Sequence, residues 1–418
     1  MSFASTPKLQ QSGVEESSTM SRGLTLLFAT AVGVVVLSLY SSQPLVALIG
    51  PSLGLNMSEA PLMTTLTLLG YASGLFLLVP LTDLVENRTV IVTTLAIDVL
   101  SLAAVACAPT ASLFLVACFL TGVTTSAIQM LVPVAAQLSP EAQRGRTIGN
   151  VMSGLMLGIL LSRPAASLVA EFAGWRWFYG VLAALVATLT LVLMFVVPRR
   201  YPQASSSYPR LLGSMWTILS EERLLQRRAL YQALCMGAFG VFWTSVALRL
   251  AAPPFSLDQA GIAFFALAGA AGAVVAPIAG RAGDRGLTRG ATLLAHLAVI
   301  GAMALALAGG SVLVRATSFA SSNAALAILV AAAVILDLGV IGDQTLGRRA
   351  INLLRPEARG RVNGLFTGLF FLGAAAGSGA SGVAWVYLGW SGVCAVGAAF
   401  GCLALIVSAT ERPKAMDV

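Results

Sequence analysis

The chain has 418 residues, of which 57% are hydrophobic and only 10% charged, with a formal net charge of +8. A soluble domain carries about a quarter charged residues, so the composition excludes an ordinary soluble globular protein. Apolar runs of about 20 residues, long enough to cross a bilayer, recur along the whole length, and the basic balance is a topology signal with no nucleic acid implied.

Twelve spans are predicted, at about 24–45, 61–82, 89–107, 111–137, 148–170, 176–197, 229–251, 261–282, 289–313, 322–346, 362–384 and 386–409. The expected fold is an all-α integral membrane protein with twelve transmembrane helices in two six-helix halves. With the N-terminus in the cytoplasm, 21 of the 25 Lys and Arg fall on inner segments, the exceptions being Arg163, Arg176, Arg249 and Arg315. Positive charge gathers on the inner side, so both termini are predicted to be cytoplasmic. The plan is a tail (1–23), a first half (24–197), a linker (198–228), a second half (229–410) and a C-terminal tail (411–418).

The polar tail is expected to be disordered. It lacks a small-residue cleavage site, so span 1 reads as a retained helix rather than a signal peptide. Span 1 contains Tyr40, Ser41, Ser42, Gln43 and Pro44 near its outer end. Pro frees backbone carbonyls, and the stretch reads either as a kink near the surface or as a polar patch at the outer mouth of a cavity. Ser58 and Asp258 precede spans 2 and 8 as N-cap candidates.

Spans 2 and 3 are joined through GYASGLFLLVPLTDLVENR, and spans 8 and 9 through GAAGAVVAPIAGRAGDRGLTR. Asp83 to Arg88 and Asp284 to Arg289 share one spacing, about 200 residues apart. Gln129 in span 4 answers Gln344 in span 10, and the RGR at 144–146 answers that at 359–361. The halves are therefore a parallel repeat about an axis along the membrane normal. Pro198 to Arg210 reads as a cytoplasmic linker, and Ile218 to Arg228 as a short interfacial helix.

Several polar residues lie at membrane depth, where a charge costs about 2.5–3.5 kcal/mol on insertion scales. Asp98 lies in span 3, Arg163 in the outer half of span 5 and Asp337 in span 10. An intramembrane acid is a functional hypothesis by default, so Asp337 is the first proton-carrier candidate, with structural glue as the alternative. Arg163 is its candidate partner or the holder of an anionic substrate group. Phe242, Trp243, Thr244 and Ser245 of span 7 echo the polar patch of span 1, and suit an amphiphilic small molecule or simple packing. Arg249 is expected to snorkel. Asp343 reads as an inner gate or interface residue, and His296, the single His, as a packed residue. The five Cys lie in or at the ends of apolar spans at no metal-ligand spacing and read as packing residues. Neither a cofactor nor a metal is expected.

On these residues the chain resembles the major facilitator superfamily over about residues 24–410. The resemblance rests on the loop motif: GRAGDRG keeps Gly280, Asp284 and Arg285, and PLTDLVENR keeps Asp83 and Arg88 but has Pro80 and Leu81 in place of the first Gly. It implies that Asp83 and Asp284 each pair with the start of a helix in the opposite half, forming a cytoplasmic latch with Arg88 and Arg289. It also implies that spans 1, 4, 7 and 10 line the cavity. Span 5, GNVMSGLMLGILLSRPAAS, is similar to the Gly-rich fifth span of exporters, with Gly149, Gly154, Gly158 and Pro164, but Arg163 occupies the Gly position before the Pro. Cys118 stands where proton-coupled exporters carry an Arg in span 4.

The resemblance implies a bacterial inner-membrane secondary transporter. The expectation is a proton-driven exporter of a small amphiphilic drug or metabolite by alternating access. The alternative is a proton-coupled importer on the same fold. The expected partners are the bilayer, a small-molecule substrate and protons, with the chain acting as a monomer. A membrane protease using two acids is disfavoured, because Asp337 and Asp343 lie six residues apart on one helix and one His without a ligand cluster offers little for catalysis. A non-transporting receptor is the last option.

Overall fold

The computed structural model describes residues 21–201, 207–312, 319–355 and 358–411. The tail expected at 1–23 lies outside the described residues up to 20, and the C-terminal tail from 412; residues 202–206 of the linker and Arg315 lie outside them as well.

The described residues are helical, with no strand among them. In the first half, α1 (Arg22–Tyr40) and α2 (Ser42–Ser52) form span 1, and α3 (Leu62–Leu77) forms span 2. Span 3 is α4 (Asn87–Cys107), span 4 is α5 (Ala111–Thr125) with α6 (Ala127–Gln137), span 5 is α7 (Arg144–Ala173) and span 6 is α8 (Trp175–Val196). A surface helix, α9 (Tyr208–Glu221), leads to the second half. There α10 (Arg223–Ala251) is span 7, α11 (Gln259–Ala266) and α12 (Ala271–Asp284) form span 8, α13 (Thr288–Leu307) is span 9 and α14 (Phe319–Ile351) is span 10.

The last helix, α15 (Arg359–Ala409), runs for 51 residues. At 1.5 Å per residue it measures about 77 Å, far more than a bilayer core of about 30 Å. It is two legs joined at Gly389, whose φ of 59° is open to glycine at little cost. Among the described residues eleven helices are long and apolar enough to cross a membrane, and the two legs of α15 make the predicted twelve spans.

Among the interrupted spans, span 1 breaks at the predicted polar stretch and span 8 where no break was predicted. Span 1 is interrupted at Ser41, and Pro44 lies in the first turn of α2. Span 8 passes through a 3-10 turn over Leu267–Ala270. Asp258 caps α11, accepting from the Gly261 N–H at 2.7 Å. Ser58 does not cap α3: its N–H and hydroxyl donate to the Asn56 side chain in the preceding turn, and Pro61 takes the N-cap place.

The interfacial helix lies earlier than expected. It is Tyr208–Glu221, because Leu211, Met215 and Ile218 recur at helical spacing and are buried together, while Trp216 faces outward. Glu222 breaks the chain before α10. The helix is tied to both halves, since the Tyr208 hydroxyl donates to Leu77 O and Arg361 donates to Ser214 Oγ.

The repeat is visible in the packing. A Cβ at Gly154 or Gly158 of α7 would strike the carbonyls of Ala29 and Gly33 on α1. A Cβ at Gly373 or Gly377 of α15 would strike those of Ala233 and Gly237 on α10. Both halves thus use glycines four residues apart against carbonyls four residues apart, the small-residue approach that packs helices in lipid. Gly149 meets nothing within 4 Å and takes no part.

Candidate transport site

The site is built around Arg163, 4% exposed, in the C-terminal half of α7. Its Nε donates to Gln43 Oε1 of α2 at 2.8 Å. The guanidinium lies over three rings, 4.2 Å from the Trp243 centroid and 5.1 Å from those of Tyr40 and Phe239. A desolvated cation over an aromatic face is worth about 2 kcal/mol or more, so the cage offsets part of the cost of burying the charge.

Trp243 joins this cation to an acid. Its indole N–H donates to Asp337 Oδ1 of α14 at 3.0 Å. Arg163 belongs to the first half and Trp243 and Asp337 to the second, so the cluster spans the seam between them. Arg163 and Asp337 form no direct ion pair. Gly269, in the 3-10 turn of span 8, faces both: an added Cβ would lie 3.1 Å from Asp337 Oδ2, 3.4 Å from Arg163 Nη1 and 3.5 Å from Trp243 Cζ2. Two donors of the cluster, Arg163 Nη2 and Gln43 Nε2, are buried without a hydrogen-bond partner.

The Major Facilitator Superfamily profile matches residues 28–332. The chain belongs to the Major Facilitator Superfamily. It is 36% identical over 388 residues to the uncharacterized transporter YgaY of Escherichia coli O157:H7, covering 93% of this chain and 95% of that protein. Over 149 residues it is 28% identical to the efflux pump FUB11 of Gibberella fujikuroi (strain CBS 195.34 / IMI 58289 / NRRL A-6831), covering 35% of this chain and 26% of the pump. The crystal structure of a mutant of the nucleoside transporter NupG superposes with a TM-score of 0.70 at 14% identity, covering 92% and 98% of the two chains, which shows a shared fold.

For a Major Facilitator Superfamily protein the sequence candidates fall into one cluster and several outliers. Tyr40, Gln43, Arg163, Trp243 and Asp337 come together. Thr244, the next residue after Trp243, instead meets Ser378 Oγ at 3.0 Å. Gln129 donates to the Tyr71 hydroxyl at 3.2 Å, and Tyr71 stacks edge-on against Phe371 of the other half. Gln344 is half-buried on α14. Asp98 lies apart between α4 and α5, with its Oδ1 accepting from Thr124 Oγ1 at 2.6 Å.

At the loop motif, Asp83 closes a 3-10 turn opened by Val79 and Pro80, and Arg361 of the opposite half acts on it electrostatically. Asp284 takes a different partner from the one expected: Arg349 Nε of its own half, at 3.0 Å. Arg88 is half-buried, and Arg285 and Arg289 are exposed, next to the half-buried Gly280. Arg249 does not snorkel. It is 9% exposed and donates to the carbonyls of Gly310 and Pro253.

Sequence reasoning missed Phe239 and Gly269. Phe239 was findable, four residues before Trp243 and so on the same helix face. Nothing marks Gly269 among 41 glycines.

Proposed function

We propose that this transporter is a proton-driven exporter of a small amphiphilic compound, working by alternating access about the Arg163–Trp243–Asp337 cluster. One observation carries the reading: a buried acid and a buried base from opposite halves meet on one indole. A substrate amine or hydroxyl takes the Asp337 carboxylate, its aromatic or apolar body lies among Tyr40, Phe239 and Trp243, and a carbonyl or other acceptor takes Arg163 Nη2 and Gln43 Nε2. A proton on Asp337 removes the acceptor for the substrate donor, so proton and substrate compete, which is the condition for antiport. The partial likeness to an efflux pump supports the outward direction. In this reading the protein lies in a bacterial inner membrane with both termini cytoplasmic.

The second reading is a proton-coupled importer, favoured by the two unpartnered donors. An anionic substrate on Arg163 disfavours a second negative charge on Asp337, and by reciprocity the proton then aids substrate binding. The sign of proton movement separates the readings. In proteoliposomes with an internal pH dye, antiport moves protons against the substrate and symport moves them with it. Asp337→Asn abolishes either coupling; flux with unchanged proton movement in that variant overturns Asp337 as the carrier.

A further inference from the structure

A second buried cluster lies wholly inside the second half, away from Arg163. Cys235 of α10, His296 of α13 and Asp343 of α14 are separated by 61 and 47 residues in sequence. In the fold their sulfur, ring nitrogen and carboxylate oxygen all lie within 4.8 Å of one another. All three residues are at most 1% exposed. We propose that they form a binding site for one borderline-soft divalent cation, of which zinc is the type.

The ring orientation carries the argument. Ser408 Oγ donates its single proton to the Leu405 carbonyl at 2.9 Å. The same oxygen meets His296 Nδ1, also at 2.9 Å, and with the hydroxyl proton on Leu405 that contact takes the Nδ1–H tautomer. In the neutral imidazole this leaves the lone pair on Nε2, which faces Asp343 Oδ1 at 3.3 Å. With that ring setting two electron pairs face each other in a dry interior, an arrangement that a cation between them, a metal ion or a proton, relieves. The contact does not have hydrogen-bond geometry: His296 Nε2 and both Asp343 oxygens are without a hydrogen-bond partner. Zinc bonds of about 2.0–2.2 Å to N and O, opened to a tetrahedral angle, put such a pair about 3.3–3.5 Å apart and off the ring axis. The observed 3.3 Å fits a ligand edge as well as a direct His–Asp contact, and the metal content decides between them.

Charge and surroundings agree. A thiolate, a carboxylate and a neutral imidazole around a divalent ion sum to zero, the condition for low cost in a membrane interior. The Ser408 hydroxyl on Nδ1 is the outer partner that metal-binding histidines ordinarily have, and the Tyr231 ring meets the imidazole edge-on at 5.8 Å and fixes its plane. Three protein ligands leave one position open to water. The ion would pin α10, the helix that carries Trp243, to α13 and α14.

The test uses the full-length protein purified in detergent, stripped with chelator and reloaded with zinc or cobalt. Elemental analysis is expected to find about one zinc per chain, lost in His296→Gln and Asp343→Asn. Cobalt loading is expected to give a thiolate-to-metal charge-transfer band that disappears in Cys235→Ser, a near-isosteric change that keeps the fold. Zinc should raise the melting temperature of the wild type and not of Cys235→Ser, and Ser408→Ala should weaken binding by about 10–100-fold. Folded wild-type protein that retains no zinc, or the same zinc content in wild type, Cys235→Ser and Asp343→Asn, overturns the proposal. These readouts do not depend on transport.

Discussion

The indole N–H of Trp243 donates to Asp337 Oδ1 at 3.0 Å while the ring of the same residue carries the Arg163 guanidinium at 4.2 Å. One side chain therefore holds both charges, and its two functions are separable. Trp243→Phe keeps a ring beneath Arg163 and removes the donor. A hydrogen bond to a charged group is worth about 1.5–3 kcal/mol, so substrate affinity in a flux assay should fall by about 10–100-fold. Trp243→Leu removes the ring too and should fall further.

Arg163→Lys keeps the charge and loses the fork that bonds Gln43 while stacking on rings. Arginine and lysine are not interchangeable at a stacked, directional site. Transport by Arg163→Lys should drop to about a tenth or less of wild type, close to Arg163→Gln, with expression and melting temperature preserved. Wild-type flux in Arg163→Lys counts against the cage.

Gly269→Val places side-chain atoms where an added Cβ already lies 3.1 Å from Asp337 Oδ2. Overpacking costs about 1–3 kcal/mol. The strain falls on the site, so transport should be lost while the protein still purifies as a folded monodisperse species. Size-exclusion profiles run beside flux measurements check this.

Asp98→Asn should leave proton coupling in place, because Asp98 bonds Thr124 between α4 and α5 and does not touch the Arg163 cluster. Thr124→Val leaves that buried carboxyl without its donor and should lower stability by about 1–3 kcal/mol, read as a melting-temperature drop in detergent. Abolished coupling in Asp98→Asn would make it the proton carrier.

Asp284→Asn removes an ion pair whose carboxylate side chain is 70% exposed. Exposed pairs are worth at most about 1 kcal/mol, so melting temperature should hardly move. A large stability loss would mean that the pair does more than join the ends of α12 and α14.

Much of the site could be read from the chain because charge is expensive in lipid. Arg163 and Asp337 stood out against apolar spans for that reason, and Gln43, Tyr40 and Trp243 followed from the same pattern. What could not be read was which faces meet. The spans are apolar all round, so periodicity gave little orientation, and the Thr244 side of α10 could not be told from the Trp243 side. Cys235 and His296 looked like packing and Asp343 like an inner gate or interface residue, because no local spacing joins the three. The surface helix lies earlier than predicted because its buried face is the Leu211–Met215–Ile218 stripe, while the charged run from Glu222 to Arg228 opens α10. Ser58 failed as a cap because Asn56 offers its hydroxyl and N–H a nearer acceptor.

The paired glycine crossings leave their own mark on how such a molecule can move. Where main chain rests on main chain there are no rotamers to exchange and no side chains to slide past one another. Those contacts behave as welds inside each block. Compliance is thereby left to the aromatic seam, where rings can tilt and hydrogen bonds can trade partners. A transporter assembled this way is two stiff plates with a soft gasket, and the gasket is made of the same residues that would grip the cargo.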